Sequence, residues 1–198
     1  MTEVLTPSNP LSSPVPLIDL TAQYRMIQHQ ITSAVQRVLS SQCFILGDEV
    51  NELECDAAQY CDAQDAIGCA SGSDALLLSL MALDVGPGDE VITSPFTFFA
   101  TAGVVARLGA RPLFCDIDPR TYNIDPAAVR ATLSEKCEQR GDRLVNRATG
   151  GVVKALLPVH LYGQMAAMDE LMAIAKRHRL RSEEHTSELQ SHSFISYA

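Results

Sequence analysis

Three junctions in the sequence follow an apolar run with residue types that could bind a small molecule. In the first, CASGSDALLL, Gly72 lets another group approach the backbone closely, and Ser73 with the following amides opens a helix. Free N–H groups and the positive end of the helix dipole suit a phosphate, but Ser and Asp before a helix are also ordinary N-cap residues. Gly72 and Ser73 are therefore candidate phosphate ligands.

The other two junctions add aromatic and polar side chains. TSPFTFFATAG places Phe96, Phe98 and Phe99 at the start of a helix, where a ring can stack on a planar ligand or pack into the core. PVHLYGQ brings the polar groups of His160, Tyr162 and Gln164 to the end of an apolar strand, where a histidine commonly has only a structural hydrogen bond. Both readings stay open at each of these two junctions.

Strands alternate with helices along most of the chain and would bring these junctions together. The apolar runs predict strands at residues 66–71, 91–94, 111–117 and 154–160. Helical periodicity lies between them, at residues 73–85, 97–109, 125–133 and 168–180. This order predicts an α/β fold with a mostly parallel, doubly wound sheet covered on both faces. In such sheets ligands bind beyond the carboxyl ends of the strands.

The remaining segments break this rhythm. Residues 1–15, rich in Ser, Pro and Thr, predict a flexible leader. Residues 135–151 are polar, contain glycines and mix charges, which predicts a surface loop. An apolar face recurring every three or four positions predicts an early helix with Tyr24, Ile27, Ile31, Val35 and Val38.

Composition excludes several classes of protein. A net charge of -9 argues against a nucleic-acid or anionic-membrane surface, and no run is long enough to span a bilayer. The sequence has no dinucleotide-binding glycine motif, no P-loop and no zincin motif, and its six cysteines include no C-x-x-C pair. We expect a cytoplasmic protein with reduced core thiols, no metal site and small-molecule partners.

Taken together, these segments resemble the DegT/DnrJ/StrS family of pyridoxal-phosphate-dependent sugar aminotransferases. The resemblance covers about residues 15–180. Its blocks, in family order, are VPLIDLTAQY, FILGDEV, ASGSDALLLSLMALDVGPGDEVITSPFTFFATA, GARPLFCDIDPRTYNIDP and PVHLYGQMAAMDEL. It implies a three-layer, mostly parallel sheet of the aspartate-aminotransferase type (PLP fold type I), with residues 16–180 forming the N-terminal part of the cofactor-binding domain.

The resemblance also implies roles for individual residues. Gly72 and Ser73 match the turn that holds the phosphate of pyridoxal 5′-phosphate, and Phe98 matches the residue that stacks on its ring. Phe96 and Phe99 then pack in the core. Gln164, with His160, matches a strand end facing the cofactor, where His160 has no assigned role. The partners implied are a nucleotide-linked keto sugar, an amino donor such as glutamate, and a second subunit in a homodimer.

Two groups that the family chemistry requires are missing from the sequence. The family places a Schiff-base lysine and an aspartate under the pyridine nitrogen downstream of LMAIAKRHRL. Neither is present in its family context, so no catalytic residue is assigned and the chain is expected to be an inactive fragment. Two alternatives remain: a sugar dehydratase on the same fold, which has histidine in place of that lysine, and a regulatory protein that binds the cofactor without turnover.

The last stretch, RSEEHTSELQSHSFISYA, has neither helical nor strand periodicity. It resembles the in-frame translation of a common sequencing-library adapter. Residues 181–198 are therefore predicted to be a non-native tail that carries no information about charge, histidine chemistry or fold.

Overall fold

A computed structural model describes residues 16–182 and the backbone of residues 185–187. The predicted leader, residues 1–15, and most of the predicted tail lie outside the described residues. The chain divides into two compact units, Met1–Cys55 and Asp56–Ala198. No helix in the described part is long and apolar enough to cross a membrane.

Six helices and eight strands form the described structure. The helices are α1 (Thr21–Ser41), α2 (Asp48–Tyr60), α3 (Gly72–Ala82), α4 (Phe99–Arg107), α5 (Pro126–Lys136) and α6 (Met168–His178). The first five strands are β1 (Asp89–Thr93), β2 (Arg111–Phe114), β3 (Cys137–Arg140), β4 (Arg143–Asn146) and β5 (Val152–Leu156). The last three are β6 (Val159–Leu161), β7 (Arg181–Ser182) and β8 (His185–Ser187).

The main sheet has the order β2-β1-β5-β4-β3, and β7 also pairs with β5. Strands β1, β2, β5 and β7 run parallel to their neighbours in this group, as predicted. Strands β3 and β4 are antiparallel. Short β6 pairs with β8 in a separate two-stranded sheet. The fold is α/β with a mixed, mostly parallel sheet.

Both faces of the sheet are covered, as the near-continuous apolar strands predict. Alternate residues point to opposite faces, so Val91 joins a core with Leu76 and Val105 of helices α3 and α4. Ile92 joins the other core, which contains Val129 of α5 and Leu171 of α6. These two helix pairs hold the strand ends in place.

The predicted strand at residues 66–71 does not form. A strand needs a neighbour that exchanges backbone hydrogen bonds with it, and no described strand runs beside this segment. Ile67 is consequently 84% exposed. An apolar run predicts burial, but it cannot show that a pairing partner is present.

The predicted loop at residues 135–151 is wrong, because it contains the β3–β4 hairpin. Arg140 pairs with Arg143 across a two-residue turn whose first residue, Gly141, has a φ of 64°, as tight hairpin turns require. At the far end of β4, Asn146 donates a 2.8 Å hydrogen bond to the buried carboxylate of Glu90 in β1. This bond ties the hairpin to the sheet.

The predicted strand 154–160 is divided into β5 and β6. Pro158 lies between them and has no N–H to donate to a ladder. The predicted strand 111–117 likewise ends early, at Phe114. Residues 181 and 182, the start of the predicted tail, pair in parallel with Ala155 and Leu156.

Helix α1 forms as predicted, but none of its residues is buried. Within its unit, the Arg37 guanidinium lies 2.7 Å from the Glu49 carboxylate. The prediction of core thiols is also wrong for Cys43, Cys55, Cys61 and Cys69, which are exposed. Only Cys115 and Cys137 of the six are buried, and burial raises the pKa of both thiols.

Candidate cofactor site

Helix α3 begins with free amide groups at a solvent-exposed end. Ser71 is its N-cap, and Ser71 Oγ accepts a 3.2 Å hydrogen bond from the Asp74 N–H. The same hydroxyl donates to the Asp74 carboxylate at 2.9 Å. Gly72 and Ser73 are therefore the first two helical residues, and such residues have no acceptor inside their own helix. Their N–H groups are available to an anion.

Helix α4 begins with an exposed ring. Phe98 is its N-cap in extended conformation, with φ −66° and ψ 148°, and it is 57% exposed. The predicted packing of Phe99 and Phe96 is wrong, because they are 85% and 43% exposed. The inward face of α4 is already filled by other side chains: Ala100, Thr101, Val104 and Val105.

The connections place these positions at one edge of the sheet. Helix α3 leads through a short turn into the amino end of β1, so its own first residue lies toward the carboxyl end of β1. Phe98 follows the carboxyl end of β1. Gln164 follows β6, which comes directly after the carboxyl end of β5, a parallel neighbour of β1. The predicted site residues therefore share the edge where open α/β sheets bind ligands.

Gln164 lies in a loop, residues 161–166, that is held at several points. Tyr162 and Gly163 have φ values of 56° and 73°, which turn the chain back sharply. Asn123 accepts a 2.9 Å bond from the Leu161 N–H and donates a 3.0 Å bond to the Gln164 carbonyl. Sequence reasoning missed Asn123, because nothing in NIDP shows a contact with residues about forty positions away.

His160 has a structural bond, one of the two readings left open by the sequence. The ring is buried, and its Nδ1 accepts a 3.1 Å hydrogen bond from the Ala166 N–H. Because Nδ1 accepts this hydrogen bond, the hydrogen of the neutral ring is on Nε2. His160 thus fastens the far end of the Gln164 loop.

Three aromatic rings also lie together at this edge. The rings of Phe96 and Tyr122 are 5.7 Å apart, and those of Tyr122 and Tyr162 are 6.4 Å apart in an edge-to-face arrangement. All three remain at least 43% exposed. The sequence singled out Phe96 and Tyr162 separately but gave no signal that Tyr122 would bring them together.

The three lysines of the chain are at the opposite edge. Lys154 Nζ lies 3.2 Å from the Asp89 carboxylate and donates to the Asp84 carbonyl, at the amino end of β1. Lys136 and Lys176 lie near the carboxyl ends of α5 and α6, which start at the site edge and run away from it. No lysine of this chain is placed to attach a cofactor at the site.

Comparison with known families decides what this arrangement is. A family model described as the DegT/DnrJ/EryC1/StrS aminotransferase family matches residues 25–184. The chain belongs to this family. Its members and structural neighbours are pyridoxal-phosphate-dependent aminotransferases.

Individual relatives agree with this assignment. A pleiotropic regulatory protein of Geobacillus stearothermophilus is 52% identical over 166 residues, covering 84% of this chain and 40% of that protein. The UDP-2-acetamido-2-deoxy-3-oxo-D-glucuronate aminotransferase of Pseudomonas aeruginosa is 45% identical over 164 residues, covering 83% and 41%. The chain thus spans about two fifths of the length of the curated relatives that it matches.

Solved structures of the family have the same fold. A DegT/DnrJ/EryC1/StrS aminotransferase from Brucella abortus has a TM-score of 0.77 at 36% identity, covering 86% of this chain and 43% of that one. NtdA from Bacillus subtilis, solved with bound pyridoxamine phosphate (PMP), has a TM-score of 0.72 at 29% identity, covering 86% and 36%. The predicted fold type is confirmed.

The residues of this chain fit the phosphate and the ring of the family cofactor. The Gly72 and Ser73 amides provide donors at the positive end of α3, which suits a phosphate. The exposed ring of Phe98 offers an apolar face for a pyridine. Their contacts with a cofactor, and that of Gln164, remain predictions.

Proposed function

We propose that this chain is the N-terminal part of an aminotransferase that moves an amino group from a donor, with glutamate the first to test, to a nucleotide-linked keto sugar. The observation that carries the proposal is that the start of α3, Phe98 and Gln164 follow element ends at one edge of the sheet, in a chain that matches the family over residues 25–184. The substrate class is supported by relatives with names such as UDP-N-acetyl-3-dehydro-alpha-D-glucosamine 3-aminotransferase, which is 39% identical.

Each residue at the site has a binding or orienting task. The Gly72 and Ser73 amides hold the phosphate by hydrogen bonds assisted by its charge. Phe98 covers one face of the pyridine ring and keeps water from it. Gln164 supplies an amide group from a loop that Asn123 and His160 fix. Bound pyridoxal phosphate supplies the electron sink for proton removal at the substrate carbon.

We propose that the chain alone binds the cofactor but does not catalyse amino transfer. All three lysines lie at the edge away from Phe98, so the covalent attachment and the proton transfer that a lysine performs have no residue here. We attribute these steps to residues beyond Leu180 in the complete protein, which we propose acts as a cytoplasmic homodimer. Turnover by residues 1–198 alone would refute this division.

A labelling experiment tests the proposed reaction. The complete protein, loaded with cofactor, is incubated with ¹⁵N-glutamate and a nucleotide-linked keto sugar. The mass of the sugar product is then measured by mass spectrometry. We expect an amino sugar carrying the label. A cofactor-loaded protein that leaves every keto sugar unlabelled and forms no 2-oxoglutarate contradicts the proposal.

A second candidate function is regulation without turnover, and one comparison favours it. The relative that is 52% identical is named a pleiotropic regulatory protein. The same binding residues would serve a protein that senses the cofactor. Cofactor binding by the complete protein, without amino transfer from any donor, supports this candidate over the first.

A further inference from the structure

We propose that Asn123 is a positioning residue, which sets the Gln164 side chain for cofactor binding by fixing the loop of residues 161–166. The inference rests on the proposed function, since it concerns the same site. Asn123 is 3% exposed, and both ends of its amide are used. Neither bond goes to its own segment, so the side chain links two segments about forty residues apart.

The segment that carries Asn123 is closed by its own hydrogen bonds. The Asp118 N–H donates to the Asn123 carbonyl at 3.0 Å, and the Tyr122 N–H donates to the Asp118 carbonyl at 2.8 Å. The Asp118 carboxylate in turn accepts from the Arg120 N–H at 2.8 Å and from its guanidinium at 3.1 Å. Asn123 therefore projects from a closed turn and can impose its position on a partner.

The loop that receives these bonds needs an external support. Tyr162 and Gly163 have positive φ values, and Tyr162 does so with a side chain that disfavours this conformation. The Leu161 N–H and the Gln164 carbonyl flank this turn, and Asn123 binds both. The turn is also closed by the Gln164 N–H, which donates to the Leu161 carbonyl at 3.1 Å. Losing the Asn123 bonds therefore leaves the turn itself formed but detaches it from the Asn123 segment, while His160 still holds Ala166.

Asn146, at the opposite edge of the sheet, provides a control for the truncation of Asn123. Asn146 is also buried and also uses both ends of its amide: it donates to Glu90 at 2.8 Å and accepts from the Ala148 N–H at 3.0 Å. Truncating it removes the same groups without touching the loop of residues 161–166. N146A should cost at least as much stability as N123A, because it removes a donor from the buried Glu90 carboxylate, but only N123A should affect the site.

The test is a double-mutant cycle on binding of pyridoxamine 5′-phosphate, a probe that needs no lysine. We expect N123A and Q164A each to weaken binding to the chain about 5- to 20-fold, and the double variant to be no weaker than the worse single variant. N146A should leave affinity unchanged. Hydrogen exchange of the Leu161 amide should accelerate in N123A but not in N146A.

The outcomes separate a failure of the positioning role of Asn123 from a failure of the proposed cofactor site. Additive losses in the cycle, or an equal loss in N146A, would overturn the positioning role while leaving the site intact. If N123A does not fold, N123D keeps the size and the acceptor for the Leu161 N–H but loses the donor to Gln164; unchanged affinity in N123D would also overturn it. Absence of saturable probe binding by the unaltered chain contradicts the proposed function and this inference with it.

Discussion

Replacing Ser73 by aspartate should make the protein more stable and its phosphate binding weaker. Position 73 is the second residue of α3 and is exposed, so a carboxylate there meets the positive end of the helix dipole. We expect a gain of about 0.3–1 kcal/mol in the free energy of unfolding. The same carboxylate would oppose a phosphate held by the neighbouring amides.

The size of that opposition follows from Coulomb's law. At a separation of about 5 Å and in a water-like dielectric, each pair of unit charges costs about 0.8 kcal/mol. A phosphate monoester carries about 1.5 to 2 negative charges at neutral pH, so the cost is about 1.5 kcal/mol, or about tenfold in affinity. Any lower local dielectric increases the loss.

Two measurements on each variant separate the effects. Urea unfolding gives the stability, and a fluorescence titration with pyridoxamine 5′-phosphate gives the affinity. The control is Ser73→Asn, which has nearly the same shape as the aspartate variant without the charge. Higher stability in Ser73→Asp together with unchanged affinity would show that the phosphate does not bind at α3.

Three further predictions concern the scaffold. Gly151→Ala should destabilise the fold by about 1–3 kcal/mol in urea unfolding, because the new Cβ would lie 2.8 Å from Glu90 Oε1. Gly86→Ala is the control: its new Cβ would meet no atom within 4 Å, so this variant should be neutral or slightly stabilised. A thiol reagent at neutral pH should modify the four exposed cysteines quickly and the buried Cys115 and Cys137 only on unfolding; six equally fast thiols would contradict the burial. The bonds from Arg120 lower the pKa of the Asp118 carboxyl, so they should stabilise the turn fully above the ordinary aspartate pKa of about 3.9, and this stabilisation should be lost as the pH falls from there through the lowered pKa. Hydrogen exchange of residues 116–124 should show this acid transition, and Asp118→Asn should abolish it.

The sequence predicted the elements whose burial is encoded locally. Val91 and Ile92 alternate between two cores, and Asp125 with Pro126 starts α5, where Asp125 accepts from the Ala127 N–H at 2.8 Å. These features depend on neighbours along the chain. The helix starts that carry Ser73 and Phe98 were predictable for the same reason.

Features that depend on distant partners were not predictable from the sequence. The segment around Ile67 has strand composition, but no strand among the described residues pairs with it. The mostly polar hairpin beside Gly141 joins the sheet through its pairing with β5 and through the bond from Asn146 to Glu90 in β1. Asn123 has its role only because Gln164 returns to the same edge. Single-sequence patterns contain no record of such contacts.

The most direct test of the cofactor site is an amide NMR titration of the chain with pyridoxamine 5′-phosphate. We expect the largest chemical-shift changes at the Gly72 and Ser73 amides, followed by Phe98 and Gln164. The amides around Lys154, at the opposite edge, should not move. Saturable binding with shifts centred away from residues 72 and 73 would contradict the assignment of the cofactor site.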